Sequence, residues 1–209
     1  MVPPLHFEAR LANALVRLPE LEQGDEPRFC LDELSGRLSE LRSAGGALSW
    51  VFSLVSEVQQ RGETAAYVCG PGATFYPPDA SAGGVDLAAL PVVLTEDLTA
   101  RARAADELLR SGAFALVVVE LIGVKGRVSP ALLSRLHGLV QKHHSALVFV
   151  TDEEADGTIG SLVSLRAVAR RTIHSDATRC RITLDVLKDK RRAPGWSAEL
   201  VRSLPPGLR

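Results

Sequence analysis

Cysteine is scarce in this 209-residue chain. The three present, Cys30, Cys69 and Cys180, lie far apart and form no C-x-x-C pair. An odd count at such spacing argues against a disulfide framework or a zinc site and for reduced thiols. Long apolar runs are missing too: none reaches the ~18 residues a membrane-spanning helix needs. The opening MVPPLHFEAR has no basic stretch leading into an apolar one, so no secretion signal is expected and a cytoplasmic location is. Net charge is almost nil, −1 from 24 Lys/Arg and 25 Asp/Glu, which rules out a globally basic nucleic-acid binder. No internal repeat and no low-complexity tract is found.

What is present is ordinary globular material, 46% hydrophobic and 23% charged, at a length that suits one domain. The charge is unevenly placed. Residues 166–209 carry eleven Lys/Arg and four Asp/Glu, a net of +7, which leaves −8 on the remainder. A basic end on an acidic body is a polarity that a partner can read. Three parts are expected: an amphipathic helix within 1–20, a core over 28–196, and a tail over 197–209. The first has Leu5, Leu11, Leu15 and Leu18 near one face, Pro19 at its end and the polar EQGDEP after it. It is a candidate oligomerisation or docking arm, with Leu11 and Leu15 as contact residues.

From Gly36 strands and helices alternate. The pattern predicts strands at 37–42, 64–70, 91–95, 114–121 and 146–151. It predicts helices after SAGGA up to Gly62, over 97–112 with Gly112 as stop, and over 129–144 with Ser129 as N-cap and Pro130 in the first turn. The runs FALVVVEL and ALVFVT are apolar throughout, as strands covered on both faces are. After Gly160, SLVSLRAVARRTIH and CRITLDVLK alternate with polar residues, which predicts an antiparallel edge. The fold class expected is α/β: a mostly parallel twisted sheet with helices on both faces. Ligands in such sheets bind at the carboxyl ends of the strands. That directs attention to Arg42 and Ser43, Cys69 and Gly70, Glu120, and Thr151 and Asp152.

The order of these segments resembles the RecA-type recombinases. GRLSELRSAGGALSWVFSLVSEVQQRGETAAYV is similar to their strand, phosphate loop and helix, and RARAADELLRSGAFALVVVEL to the helix and second-carboxylate strand that follow. SALVFVTDEE is similar to the next core strand, and RITLDVLKDKRRAPGW to the late strand with its lysine pair. TFYPPD, GVDLAALPVV and GSLVSLRAVARR resemble the RecA-like proteins of mutagenesis cassettes, the ImuA group. The resemblance implies a RecA-like core and an accessory role in DNA-damage-induced mutagenesis and translesion synthesis. Its implied partners are RecA, an ImuB-like polymerase subunit and, indirectly, an error-prone replicative-type polymerase. Cell-division inhibitors of the SulA type, which cap a tubulin-like polymer, are the alternative; they are also described as RecA-like without ATP binding.

Several residues depart from the family's ATPase pattern. A working phosphate loop, G-x-x-x-x-G-K-[ST], wraps the phosphates in backbone N–H groups and neutralises them with its lysine. The corresponding stretch is Ser43, Ala44, Gly45, Gly46, Ala47, Leu48, Ser49, shorter and without lysine. The strand that would present a catalytic glutamate ends in Cys69, Gly70, Pro71, the magnesium-coupling aspartate is matched by Glu120, and the sensor position by Asp152. No ATP hydrolysis and no bound cofactor are therefore expected. Glu120 and Asp152 could together hold magnesium; with no cradle or nucleophile beside them, a solvated remnant is the expectation. The family's mobile DNA loop is matched by the short acidic DEEADGTIG, which repels phosphate.

What remains for contact is the basic end. Lys188 and Lys190 match the family's lysine pair, and with Arg191 and Arg192 they are candidates for an acidic partner surface or for weak DNA contact. Trp196 is either an interface anchor or a seal of the tail onto the sheet. Trp50 is expected in the core, Cys69 as a buried strand residue, and His143 and His144 as groups complementing a helix C-terminus.

Overall fold

A computed structural model describes residues 28–154, 159–173 and 179–203. The expected arm over 1–20, with Leu11 and Leu15, lies outside them. A single helical turn, α1 (Leu31–Leu34), leads into β1 (Arg37–Ala44) and α2 (Ala47–Gln60). Next come β2 (Ala65–Cys69), the short α3 (Pro77–Ala82), a 3-10 turn at Leu87–Ala89 and β3 (Val92–Leu94). The chain continues through α4 (Leu98–Ser111), β4 (Leu116–Glu120), α5 (Pro130–His143) and β5 (Ala146–Asp152). It ends in β6 (Leu165–Ile173), β7 (Arg179–Asp189) and β8 (Ser197–Ser203).

The eight strands form one sheet in the order β3-β2-β4-β5-β1-β6-β7-β8. Pairing is parallel from β3 to β6 and antiparallel from β6 to β8. Because side chains alternate along a strand, β1 sends Leu41 to one face and Leu38 to the other. Leu41 joins α2, through Val51, Leu54 and Val58, in one cluster. Leu38 joins α4 and α5, through Leu109, Leu136 and Val140, in the second. β4 and β5 are covered on both faces, as their unbroken apolar runs require: Val117 and Val119 face α4 and α5, Leu116 and Val118 face α2. Each such side chain contributes about 1.5–3 kcal/mol on burial.

The helix boundaries follow local chemistry. The Asp97 carboxylate accepts from Ala100 N at 2.7 Å to start α4, and Gly112 ends it at φ 69°, where a side chain is strained. Ser129 Oγ accepts from Leu132 N at 3.3 Å, with Pro130 in the first turn of α5. His143 and His144 end α5, His144 as its left-handed cap. No described helix is long and apolar enough to cross a membrane.

The sheet runs past Trp196, where the sequence pattern places only a tail. Ser197–Ser203 pairs with β7 over the register Asp185↔Ser197 to Arg179↔Ser203, and its Ala198 and Leu200 pack on the core. The alternation of Ala198 and Leu200 breaks at Val201, so local pattern does not announce a strand; pairing with β7 makes it one.

Candidate functional site

The crevice lies at the carboxyl ends of the parallel strands, where β1 has β5 on one side and β6 on the other. Of the expected phosphate-loop residues, Ser43 and Ala44 belong to β1, opposite Asp152 and Arg170 respectively. Ala47, Leu48 and Ser49 belong to α2. Only Gly45 and Gly46 connect them. Gly45 takes φ 92° and bridges to Arg170. A Cβ on Gly46 would stand 2.5 Å from Ile182 Cγ2. The turn is thus pressed onto β6 and β7 on one side, and on the other it lines a cleft.

Beside this turn is a cleft of about 400 Å³. Arg171 and Arg202 stand on its β6–β8 side, Thr74 and Asp79 on the wall formed by α3 and the loop before it, and Asp152 at the tip of β5. Arg202 donates to Ser53 Oγ of α2. These arginines and the wall over 74–83 were not singled out from sequence; they come from segments remote in the chain, and no local motif marks them.

Glu120 departs from expectation: it is fully buried rather than solvated. Its Oε2 accepts from the Tyr67 hydroxyl at 2.7 Å. Its Oε1 accepts from Thr74 N at 2.6 Å and Thr74 Oγ1 at 2.8 Å. The buried Arg101 donates to its backbone carbonyl at 2.6 Å. Burial, and then the Glu120 charge, push the Tyr67 phenol and the Cys69 thiol above their ordinary values. Asp152 is spent elsewhere: its Oδ2 accepts from Gly123 N at 2.8 Å. The two carboxylates therefore hold two different loops.

A second buried charge, Glu40 on β1, accepts from Thr151 Oγ1 at 3.2 Å and pairs with Arg166 and Arg42. Alternation puts Glu40 on one strand face with Leu38 and Arg42, a mixed pattern that does not announce a buried carboxylate. Near Arg166 on the same side, Lys188 and Lys190 each donate an ammonium to Ser161 O at 3.2 Å. Burial, with Lys190 and Arg166 adding to it, lowers the Lys188 pKa. Among the described residues neither lysine forms an ion pair.

The other basic candidates turn inward. Arg191 donates to Glu33 O and Ser35 O at 3.2 and 2.7 Å, and Arg192 pairs with Glu33. Trp196 takes the role of seal: it packs on the core, and its indole N–H donates to Asp189 Oδ2 at 3.3 Å. Among the described residues, one set of three potential metal ligands converges, Cys30, Asp32 and Glu57. The Arg61 guanidinium already sits on both carboxylates at 2.6 Å.

Compared as a whole, the architecture is similar to the crystal structure of the RadB recombinase. The TM-score is 0.60 at 16% identity, over 79% of this chain and 87% of that one. The fold is RecA-like. No family model matches the chain, and no curated protein does.

Proposed function

We propose that this is a non-catalytic RecA-like accessory protein of DNA-damage-induced mutagenesis and translesion synthesis, similar to ImuA. It works through contacts with RecA and with an ImuB-like polymerase subunit, and through that subunit reaches an error-prone replicative-type polymerase. One observation carries the non-catalytic part. The strand-to-helix turn is two glycines long, with no lysine, and Ile182 fills the space beside it. Phosphate transfer needs a cradle and positive charge held around the phosphates; a two-glycine turn carrying no cation of its own supports the non-catalytic reading. Glu120 supports the same reading, since both of its oxygens are engaged by Tyr67 and Thr74.

For the partner contacts, the arm over 1–20 enters the groove that a neighbouring RecA core offers, and the Lys188/Lys190 face meets the opposite surface. The test is pairwise binding of the purified full chain to RecA and to the ImuB-like subunit, repeated without residues 1–20, beside a phosphate-release assay with ATP and magnesium. Binding to both, weakened toward RecA by the deletion, with release at background, is the expected result. Binding to neither partner overturns the accessory role, and robust ATP turnover overturns the non-catalytic one.

A further inference from the structure

The loop over 71–76, between β2 and α3, has almost no packing of its own. Pro71, Gly72, Thr74 and Tyr76 are exposed, and only Ala73 and Phe75 are part-buried. At its base Gly70 is wedged: a Cβ there would lie 2.3 Å from both Arg101 Nη2 and Thr95 O. Gly72 has open space around it at φ 76°. Three attachments hold the loop against the body. Ala73 packs on the core. Thr74 binds the Glu120 carboxylate through its N–H and its hydroxyl. Phe75 packs against Tyr67, ring centroids 4.9 Å apart, and edge-on to Phe52 at 5.8 Å. Tyr67 itself donates to the other oxygen of Glu120. One buried carboxylate therefore holds Thr74 directly and steadies the ring under Phe75.

We propose that residues 71–76 form a strap over the crevice, latched by Glu120. Thr74 lines the cleft, so lifting the strap removes part of a wall and turns the Glu120 carboxylate outward to the space it had covered. The latch is concentrated in a few bonds, while the strands beneath are buried on both faces. Local opening is thus separable from global unfolding, as exposed, sparsely packed segments allow. This inference stands apart from the partner reading: a strap exists or does not exist whether or not RecA binds.

Amide hydrogen exchange on the full chain tests it. In the unmodified protein the Ala73 and Thr74 amides, which bond Gly70 O and Glu120, should exchange through openings that depend weakly on urea, and those of β4 and β5 through openings that depend on it strongly. Thr74→Val, which removes the hydroxyl donor and keeps the shape, should speed exchange at these two amides by about tenfold or more, the scale of a hydrogen bond to a charged acceptor. Tyr67→Phe, which keeps the ring under Phe75, should speed it less. In both variants β4 and β5 should stay protected. If the Thr74 amide exchanges with the same urea dependence as β4 and β5, the loop is a fixed wall and the strap is refuted. If that amide is unprotected in the unmodified protein, there is no latch. The urea comparison needs no variant, so a misfolded substitution does not remove the test.

Discussion

Asp189 shows how one side chain ties several segments together. Its carboxylate, buried near the end of β7, pairs with the buried Arg37 of β1, accepts from Arg191 N at 2.9 Å and receives the Trp196 indole. Burial works against its charge, but the Arg191 amide and the Arg37 guanidinium prevail and hold its pKa below the ordinary carboxylate value. A carboxyl lowered on folding adds stability above its unfolded pKa of about 3.9 and loses it as pH falls through the folded value. Asp189→Ala should therefore cost about 3–5 kcal/mol at pH 7, because it leaves Arg37 buried without its partner. The difference from the unmodified protein should shrink below about pH 4. Urea unfolding at pH 7 and pH 3 reads both; an equal penalty at the two values would show that the carboxylate charge is not what matters. At Gly46 a methyl would meet Ile182 Cγ2 at 2.5 Å. Gly46→Ala should cost about 1–3 kcal/mol, as overpacking does. Ile182→Ala in the same chain should return part of it, which a double-mutant cycle measures.

Among the elements, what could be read from sequence was what local pattern encodes. The caps Asp97, Ser129 and Gly112 and the doubly covered runs of β4 and β5 belong to that class, since short-range chemistry sets them. β8 and the burial of Glu120 belong to the other. β8 becomes a strand only against β7, and Glu120 is covered by a loop that reaches it from Thr74, 46 positions away in the chain. Nothing near VVVEL announces that contact. The crevice was half legible: its place at the strand tips and its glycines Gly45 and Gly46 were readable, but Arg171, Arg202 and the wall over 74–83 were not. Truncation after Trp196 tests the weight of β8. It removes Ala198 and Leu200 from the core and bares the edge of β7 from Arg179 to Asp185, so a lower unfolding midpoint and concentration-dependent self-association should follow. Light scattering and a urea titration check the two effects, and a truncated chain as stable and monomeric as the full one would leave β8 ornamental.

At the scale of the whole molecule, the proposed contact role rests on charge separation. The +7 segment from residue 166 does not spread its charge evenly outward. Arg170 is paired with Glu153 and Asp185, Arg181 with Glu199, and Arg191 and Arg192 bind the segment before β1. Lys188 and Lys190 differ, since the bonds described for them go to one carbonyl oxygen. A cationic pair of this kind favours association and is weakened by salt. Neutralising both, Lys188→Gln with Lys190→Gln, should shift the urea midpoint little, because burial, Lys190 and Arg166 already work against the Lys188 charge and Lys190 is exposed, where substitutions shift stability by about 0.5 kcal/mol or less. Affinity for the partner that uses this face should fall about tenfold or more, and the remaining binding should depend less on salt. Measuring RecA and the ImuB-like subunit in parallel at two salt concentrations assigns the face. A loss confined to one partner identifies it, whereas unchanged affinity for both removes the lysine pair from the interface and leaves the arm over 1–20 to carry the contact.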